Sequence, residues 1–169
     1  MAVLVVYYSR SGHTRRLAER LARDLGGRLV PITSRMTRDG LLGYLRSAFE
    51  AWSGRDAEIE PLGHRLRKDD LVVIGTPVWV WHLSSPVRAF ARRHARSIGR
   101  TAFFCTMGGA GHLRAFAELQ ALIGHPPEAT LALTEAELEG ATHHVGTHGK
   151  ILRFVRTLQA AAPAAARAA

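Results

Sequence analysis

The chain has few of the residues that mark secreted, disordered or membrane-spanning proteins. Its one cysteine, Cys105, cannot form an internal disulfide, so nothing calls for an oxidising compartment. It has only seven prolines, and 47% of its 169 residues are hydrophobic, which excludes wholesale disorder. The longest apolar runs, such as residues 1–8, are far shorter than the roughly 20 residues that span a bilayer. We therefore expect a globular cytoplasmic protein of about one domain, with no membrane span and no visible signal peptide.

Lysine is also nearly absent, although the chain is strongly basic. The 23 Lys and Arg residues exceed the 14 Asp and Glu residues and give a formal net charge of +9. All but two of the basic residues are arginines, which favour bidentate contacts with phosphate. This balance suits nucleic acid, an anionic membrane surface or a phosphorylated small molecule. An arginine-biased genome with a solvated surface explains it as well, and the composition alone does not choose.

Strand-like and helix-like segments alternate along the chain. Five runs rich in β-branched or aromatic residues, most of them ended by polar residues, glycine or proline, predict strands. These runs are residues 2–8, 28–33, 70–76, 101–106 and 130–134. Between them, apolar residues recur at the spacing of amphipathic helices. The predicted helices are residues 14–25, 39–52, 85–98 and 113–123, and a last helix that includes 151–158.

This alternation predicts an α/β fold, a doubly wound parallel sheet of five strands with helices on both faces. No repeat or linker divides residues 1–159, so we expect a single domain, followed by a frayed alanine-rich tail over residues 160–169. In doubly wound sheets the ligand lies outside the carboxyl ends of the strands, where the strand order reverses. The loops after the first, third and fourth strands are therefore the candidate site.

The loop after the first strand, residues 9–14, leads directly into a helix N-terminus. Its hydroxyl groups and unpaired backbone N–H groups can form an anion-binding nest, and Gly12 allows close approach to the backbone. Neither a Walker loop nor the dinucleotide pattern G-x-G-x-x-G is present. A monophosphate fits a loop this short best, and an ordinary serine-rich helix cap is the alternative.

The loops after the third and fourth strands favour a flat aromatic ligand. Residues 76–85 carry Trp79 and Trp81, which are unlikely both to belong to the core at the end of a strand, so a ring can pack against one of them. Residues 106–112 have almost no side chains, so their backbone can press against a ring. A simple tight turn explains the second of these loops equally well.

Three motifs in these loops together resemble the flavodoxin family. They are Ser9-x-Ser11-Gly12-x-Thr14, Gly75-Thr76-Pro77-Val78-Trp79 and the glycine-rich segment 108–111. The resemblance extends to about Leu158 and implies a flavodoxin-like sheet of strand order 2-1-3-4-5 that binds FMN. It implies that the FMN phosphate contacts Ser9, Arg10, Ser11, Gly12, His13 and Thr14. It also implies that the isoalloxazine ring is flanked by Thr76, Pro77, Val78 and Trp79 and contacts Thr106, Met107, Gly108 and Gly109.

Two departures from single-electron flavodoxins bear on function. Those proteins are typically acidic and often place an aromatic residue of the fourth-strand loop over the flavin, whereas this chain is basic and has Gly108 and Gly109 there. The sequence therefore favours the branch that resembles NAD(P)H-dependent flavin oxidoreductases and quinone reductases. We expect electrons to pass from NAD(P)H through FMN to a quinone or similar acceptor. The protein supplies binding and orientation, and the cofactor supplies the chemistry.

Other members of the family suggest alternatives. A flavodoxin that carries single electrons between redox proteins is the second reading, and a flavodoxin-type protoporphyrinogen oxidase is the third. The long insertion that such oxidases share after the fourth strand is absent here. The sequence does not identify the acceptor or choose between NADH and NADPH. It also leaves the oligomeric state open, and a homo-oligomer is one of the options.

Several histidines give weaker signals. His143, His144 and His148 have a spacing that suits a metal, but no cysteine or carboxylate cluster completes a site, and we predict no metal. His82 and His112 lie on the predicted ligand loops and are weak candidates for donating a proton or a hydrogen bond. Rim histidines without a role are equally consistent with the pattern.

Two further features are interpreted as structural. Arg88, Arg92, Arg93 and Arg96 lie on one predicted helix but lack interleaved aromatic residues, so we expect a solvated face and no nucleic-acid partner. Cys105 lies inside the fourth strand and is interpreted as a small core residue, not as a nucleophile.

Overall fold

The computed structural model describes residues 1–34, 57–140 and 144–161. The strands are β1 (Val3–Tyr7), β2 (Arg28–Pro31), β3 (Leu71–Trp79), β4 (His82–Leu83), β5 (Arg100–Met107) and β6 (Thr130–Thr134). The helices are α1 (His13–Leu25), α2 (Ser85–His94), α3 (His112–Ile123), α4 (Glu135–Leu138) and α5 (His144–Ala161), with a 3-10 turn at Ala95–Ser97. The helix predicted over residues 39–52 lies outside the described residues.

Five of the strands form a parallel sheet of order β2-β1-β3-β5-β6. Val5 of β1 pairs with Leu29 of β2 on one side and with Val73 of β3 on the other. Strand β3 also pairs with β5, so β1 and β3 are both central. The short strand β4 pairs only with β3, in an antiparallel hairpin. Without this hairpin the observed order equals the predicted 2-1-3-4-5, and the α/β prediction is confirmed.

The central strands are buried on both faces, which is why they read as continuous apolar runs. On one face Leu4 and Val72 pack with α2 and α3, through residues such as Phe90 and Leu119. The opposite face packs against α1 and α5 and includes Val5, Leu21 and Phe154. The strand ends therefore form the two edges of a helix-covered sheet, and ligands of such sheets lie at the carboxyl edge.

Several predicted element limits differ from the observed ones. Strand β3 continues three residues past Thr76, because Val78 and Trp79 pair with β4. Strand β2 ends at Pro31 and helix α2 at His94, earlier than predicted. The last helix includes Ala160 and Ala161, which the sequence analysis assigns to the frayed tail. Residues 162–169 lie outside the described part of the chain.

One arginine of the expected solvated face is buried. Arg88 is only 5% exposed, because α2 turns it inward toward β4, where its guanidinium donates to the Leu83 carbonyl oxygen at 3.1 Å. The prediction of a solvated face is therefore wrong for Arg88, whereas Arg92, Arg93 and Arg96 are exposed.

The burial of Cys105 and the lengths of the helices were the other structural points of the sequence analysis. Cys105 is fully buried, and burial raises the pKa of its thiol to about 12, so it is protonated at neutral pH and inert. The expected core position is confirmed. Among the helices within the described ranges, none is long and apolar enough to cross a membrane.

Candidate functional site

The loop between β1 and α1 has the backbone geometry of an anion site. Gly12 precedes the first turn of α1 with φ 93° and ψ −16°, a left-handed conformation that favours glycine. Its N–H group donates to Ser9 Oγ at 3.2 Å, which closes the loop on itself. Among the described residues, the N-cap Gly12 supplies no side-chain hydrogen bond to α1, and the first turn of the helix contains no acidic residue. The positive end of the helix dipole at this loop favours an anion.

The side chains of this loop divide into exposed and anchored groups. Arg10 and Ser11 are exposed at its rim. Thr14 is 2% exposed, and its hydroxyl group lies 2.7 Å from that of Thr106 at the end of β5. This hydrogen bond joins the first and the last of the three predicted ligand loops. One of the two hydroxyl groups donates this bond, and the other accepts it and keeps its own hydrogen to donate elsewhere.

His13 connects the loop to α4. Its Nδ1 lies 2.9 Å from Ser11 Oγ, and its Nε2 lies 2.8 Å from a carboxylate oxygen of Glu139. Glu135 approaches Nδ1 at 3.5 Å. Sequence reasoning missed both glutamates. The pattern Thr134-x-x-Glu137 marks the start of α4 in the sequence. Glu135 is the first residue of this helix and Glu139 follows its last residue, but only the fold brings them to His13.

The loop after β3 is a tight hairpin with a strained tip. Val80 and Trp81 join β3 to β4, and both have positive φ, 48° and 63°. A two-residue turn of this kind is normally built from Asn and Gly. Bulky residues with positive φ cost free energy, and such strain concentrates at functional sites. The strained hairpin tip therefore belongs to the candidate site at the carboxyl edge of the sheet.

The two tryptophans of this loop have different environments. Trp79 is 8% exposed and packs edge to face against Tyr8, with ring centroids 5.7 Å apart. Trp81 is 62% exposed. The expectation that they do not both belong to the core is confirmed, since only Trp79 is buried.

Thr76, Pro77 and Val78 form the base of the hairpin. Thr76 is fully buried, and its hydroxyl group lies 2.9 Å from Ser84 Oγ, so its side chain fastens β3 to the start of α2. Pro77 and Val78 are partly exposed. The side chains of Pro77 and Val78 are thus nearer to solvent at this edge than that of Thr76.

The segment after β5 leaves open space beside the backbone. Gly108 and Gly109 are exposed, and an added Cβ on either would meet no atom within 4 Å. Gly111 is different, since its φ is +107° and a Cβ there would lie 2.7 Å from Trp81 Cα. The hairpin tip therefore packs against the end of the glycine-rich loop. Met107, which precedes the loop, is 7% exposed.

The two candidate histidines are held differently. His82 Nδ1 lies 2.7 Å from Glu118 Oε1, and the backbone N–H of Leu83 donates to Glu118 Oε2 at 3.1 Å. Through these two bonds Glu118 anchors the hairpin to α3. Arg114, on the same helix, also donates to Glu118. His112 contacts Phe116 edge to face, and its Nδ1 is buried without a hydrogen-bond partner among the described residues. Sequence reasoning also missed Glu118.

His148, another sequence candidate, lies on a different surface. His148 pairs with Arg20 at 3.2 Å on the outer surface of α1 and α5. The described residues contain no group of three potential metal ligands, and His143 is outside them. A cavity of about 840 Å³ opens at the amino edge, lined by residues such as Leu25 and Leu158. It is remote from the three loops.

The sheet order and the three loops at its switch point define a protein of flavodoxin-like fold. No family model and no curated protein matches the chain. A flavoprotein from Lactobacillus acidophilus NCFM, solved in complex with FMN, superimposes with a TM-score of 0.68 at 23% identity, over 78% of this chain and 92% of its own. A protein of Bacteroides uniformis ATCC 8492 superimposes with a TM-score of 0.69 at 23% identity, over 86% of this chain and 97% of its own. A WrbA-like flavodoxin from Agrobacterium tumefaciens superimposes with a TM-score of 0.50 at 17% identity, over 94% of this chain and 98% of its own.

Proposed function

We propose that this chain binds FMN at the carboxyl edge of its sheet and passes electrons from NAD(P)H to a quinone or similar acceptor. The observation that carries the proposal is the N-terminus of α1 behind Gly12, where the N-cap makes no side-chain hydrogen bond and the first turn has no acidic residue. The similarity to a structure that holds FMN supports the choice of cofactor.

The residues of the first loop fit a phosphate group. The dianion of a phosphomonoester accepts hydrogen bonds, and the loop offers backbone N–H groups, the hydroxyl groups of Ser9 and Ser11 and the guanidinium of Arg10. An added Cβ on Gly12 would meet no protein atom within 4 Å, so the space beside its backbone is free for a ligand. Contacts of this kind need no lysine, in agreement with the composition.

The other two loops fit a flat ring. The exposed backbone of Gly108 and Gly109 provides one wall and leaves room beside it. The exposed ring of Trp81 provides an aromatic face, so we place it, in addition to the edge of Trp79, beside the isoalloxazine. Stacking contributes on the order of 1 kcal/mol beyond burial.

FMN held by these loops would supply the chemistry, acceptance of a hydride and transfer of two electrons. The role of the chain is to bind and orient the cofactor. The hydroxyl pair of Thr14 and Thr106 fixes the first loop relative to the third. Glu118 orients His82, so that the other ring nitrogen, Nε2, is available to exchange a proton with a bound acceptor.

A one-electron carrier between redox proteins is the second candidate. The exposed apolar side chains of Val80 and Trp81 favour it, because a protein partner can pack against such a tip. A small-molecule acceptor does not require this apolar surface.

Steady-state oxidation of NADH and of NADPH by the FMN-loaded protein, with a soluble quinone as acceptor, tests the proposal. We expect saturable turnover well above that of the same concentration of free FMN. A yellow protein that turns over no faster than free FMN, and that accepts two electrons in well separated steps during reductive titration, would instead establish the carrier. A protein that retains no FMN would contradict both.

A further inference from the structure

A short chain of hydrogen bonds links Ser11 to His13 and His13 to Glu139. The chain runs from Ser11 Oγ to His13 Nδ1, and from His13 Nε2 to Glu139, over distances of 2.9 and 2.8 Å. The His13 side chain is 13% exposed, whereas its partner Glu139 is 55% exposed. Ser11 lies at the rim of the proposed phosphate site.

The chemistry of the partners fixes the hydrogens. A carboxylate only accepts, so His13 Nε2 carries a hydrogen and donates it to Glu139. In neutral His13 the other nitrogen, Nδ1, is therefore an acceptor, and the Ser11 hydroxyl group must donate to it. In protonated His13, Nδ1 donates to Ser11 Oγ, and the hydroxyl hydrogen of Ser11 is released.

The second arrangement leaves the Ser11 hydroxyl hydrogen available to a phosphate dianion. The dianion accepts hydrogen bonds and has none to donate, so Ser11 can bond to it only when its hydroxyl hydrogen points away from His13. Protonation also places a positive charge beside the anion. Resting on the proposed function, we propose that His13 is a positioning residue for the FMN phosphate, and that phosphate binding at this loop takes up a proton from solvent onto His13 Nδ1.

Two carboxylates from the α4 side face His13. Glu139 lies at Nε2 and Glu135 at Nδ1. Glu137, between them in sequence, faces Lys150 and the start of α4 instead. Without the proton, the two glutamates would repel an incoming phosphate.

Calorimetric titration with FMN at pH 7.5, in two buffers of different ionisation enthalpy, measures the proton uptake. At this pH a phosphomonoester is almost entirely a dianion, so it neither binds nor releases a proton itself. We expect net proton uptake on FMN binding by the wild-type chain. Riboflavin, which lacks the phosphate, should cause none.

Two variants separate the coupling from a structural role. His13→Gln can donate to Ser11 or Glu139 at any pH, so it should bind FMN with no proton uptake. Ser11→Ala keeps the contact between His13 and Glu139 but removes the hydroxyl group, and it should lose most of the uptake. His148→Gln, an exposed histidine bonded to Arg20, is the matched control and should retain it.

The outcomes are distinguishable. FMN binding without proton uptake by the wild type, or with the same uptake in His13→Gln, would overturn the inference and leave the proposed function intact. A wild-type chain that fails to bind FMN would overturn the proposed function and the inference with it.

Discussion

At the scale of single residues, the glycines of the site were predictable and the hydroxyl groups were not. Gly12 is identified by its place between a strand and a helix, and it has the positive φ that such a loop needs. Thr14, Thr76 and Thr106 belong to the same motifs, but their hydroxyl groups bond to other protein groups. Whether a threonine contacts a ligand or a neighbouring strand depends on tertiary pairing, which no local pattern contains.

Gly12→Val is expected to abolish FMN binding while the protein still folds. The substitution strains a backbone with φ 93° by about 1–3 kcal/mol and places a branched side chain in the proposed phosphate cradle. Gly63→Val is the matched control, because a Cβ there also meets no atom within 4 Å and Gly63 has no positive φ. Titration with FMN and thermal unfolding check both variants. Unchanged FMN affinity in folded Gly12→Val would refute the first-loop assignment.

The two tryptophans should respond in opposite ways to truncation. Trp79→Ala removes a buried ring and should lower the free energy of unfolding by roughly 3–5 kcal/mol. Trp81→Ala removes an exposed ring, so it should change stability by less than about 1 kcal/mol, weaken FMN binding and increase the fluorescence of the flavin that remains bound. Denaturant unfolding and flavin fluorescence measure these effects. Flavin fluorescence that rises only in Trp79→Ala would show that Trp79 alone flanks the ring.

At the scale of secondary-structure elements, strands were easier to predict than their ends. The run 130–134 matches β6, because a short apolar strand between polar turns has clear limits. The extension of β3 into a hairpin was missed, since Val80 and Trp81 carry none of the usual turn residues. A strained turn of this kind is specified by packing, here against Gly111, and not by local sequence preference.

The short helix α4 should make stability depend on pH in acid. Burial would raise the pKa of Glu137, but hydrogen bonds from Lys150 and from Thr134 outweigh it, so the pKa in the folded protein is lowered. Its stabilising contribution is therefore complete above the pKa of the unfolded chain and is lost as pH falls through the folded value. Glu137→Gln should flatten the decline in melting temperature below about pH 5 relative to wild type. Parallel acid profiles of the two proteins would contradict this account.

At the scale of the whole molecule, the sheet order was predictable and the charge network of the site was not. Alternating strands and helices leave few topologies, and the observed order is one of them. Glu118, Glu135 and Glu139 reach His82 and His13 across 36, 122 and 126 positions of sequence. Contacts so distant are set by how the helices pack on the sheet, and a single sequence does not display them.

The net charge of +9 acts on the whole surface and favours an anionic ligand. Because this attraction is partly screened by salt, FMN binding should weaken as ionic strength rises, whereas riboflavin binding should not. The direction of this effect follows from the sign of the charge and not from any single arginine.

Titration of the flavin-free protein with FMN, and separately with riboflavin, tests the central claim most directly. The two ligands share the isoalloxazine ring and differ in the phosphate, so their difference isolates the first loop. Flavin fluorescence should show saturable binding of one FMN per chain and binding of riboflavin weaker by roughly 100-fold, the effect of a few charge-assisted hydrogen bonds. Equal affinities, or no binding of FMN, would contradict a phosphate site at the N-terminus of α1.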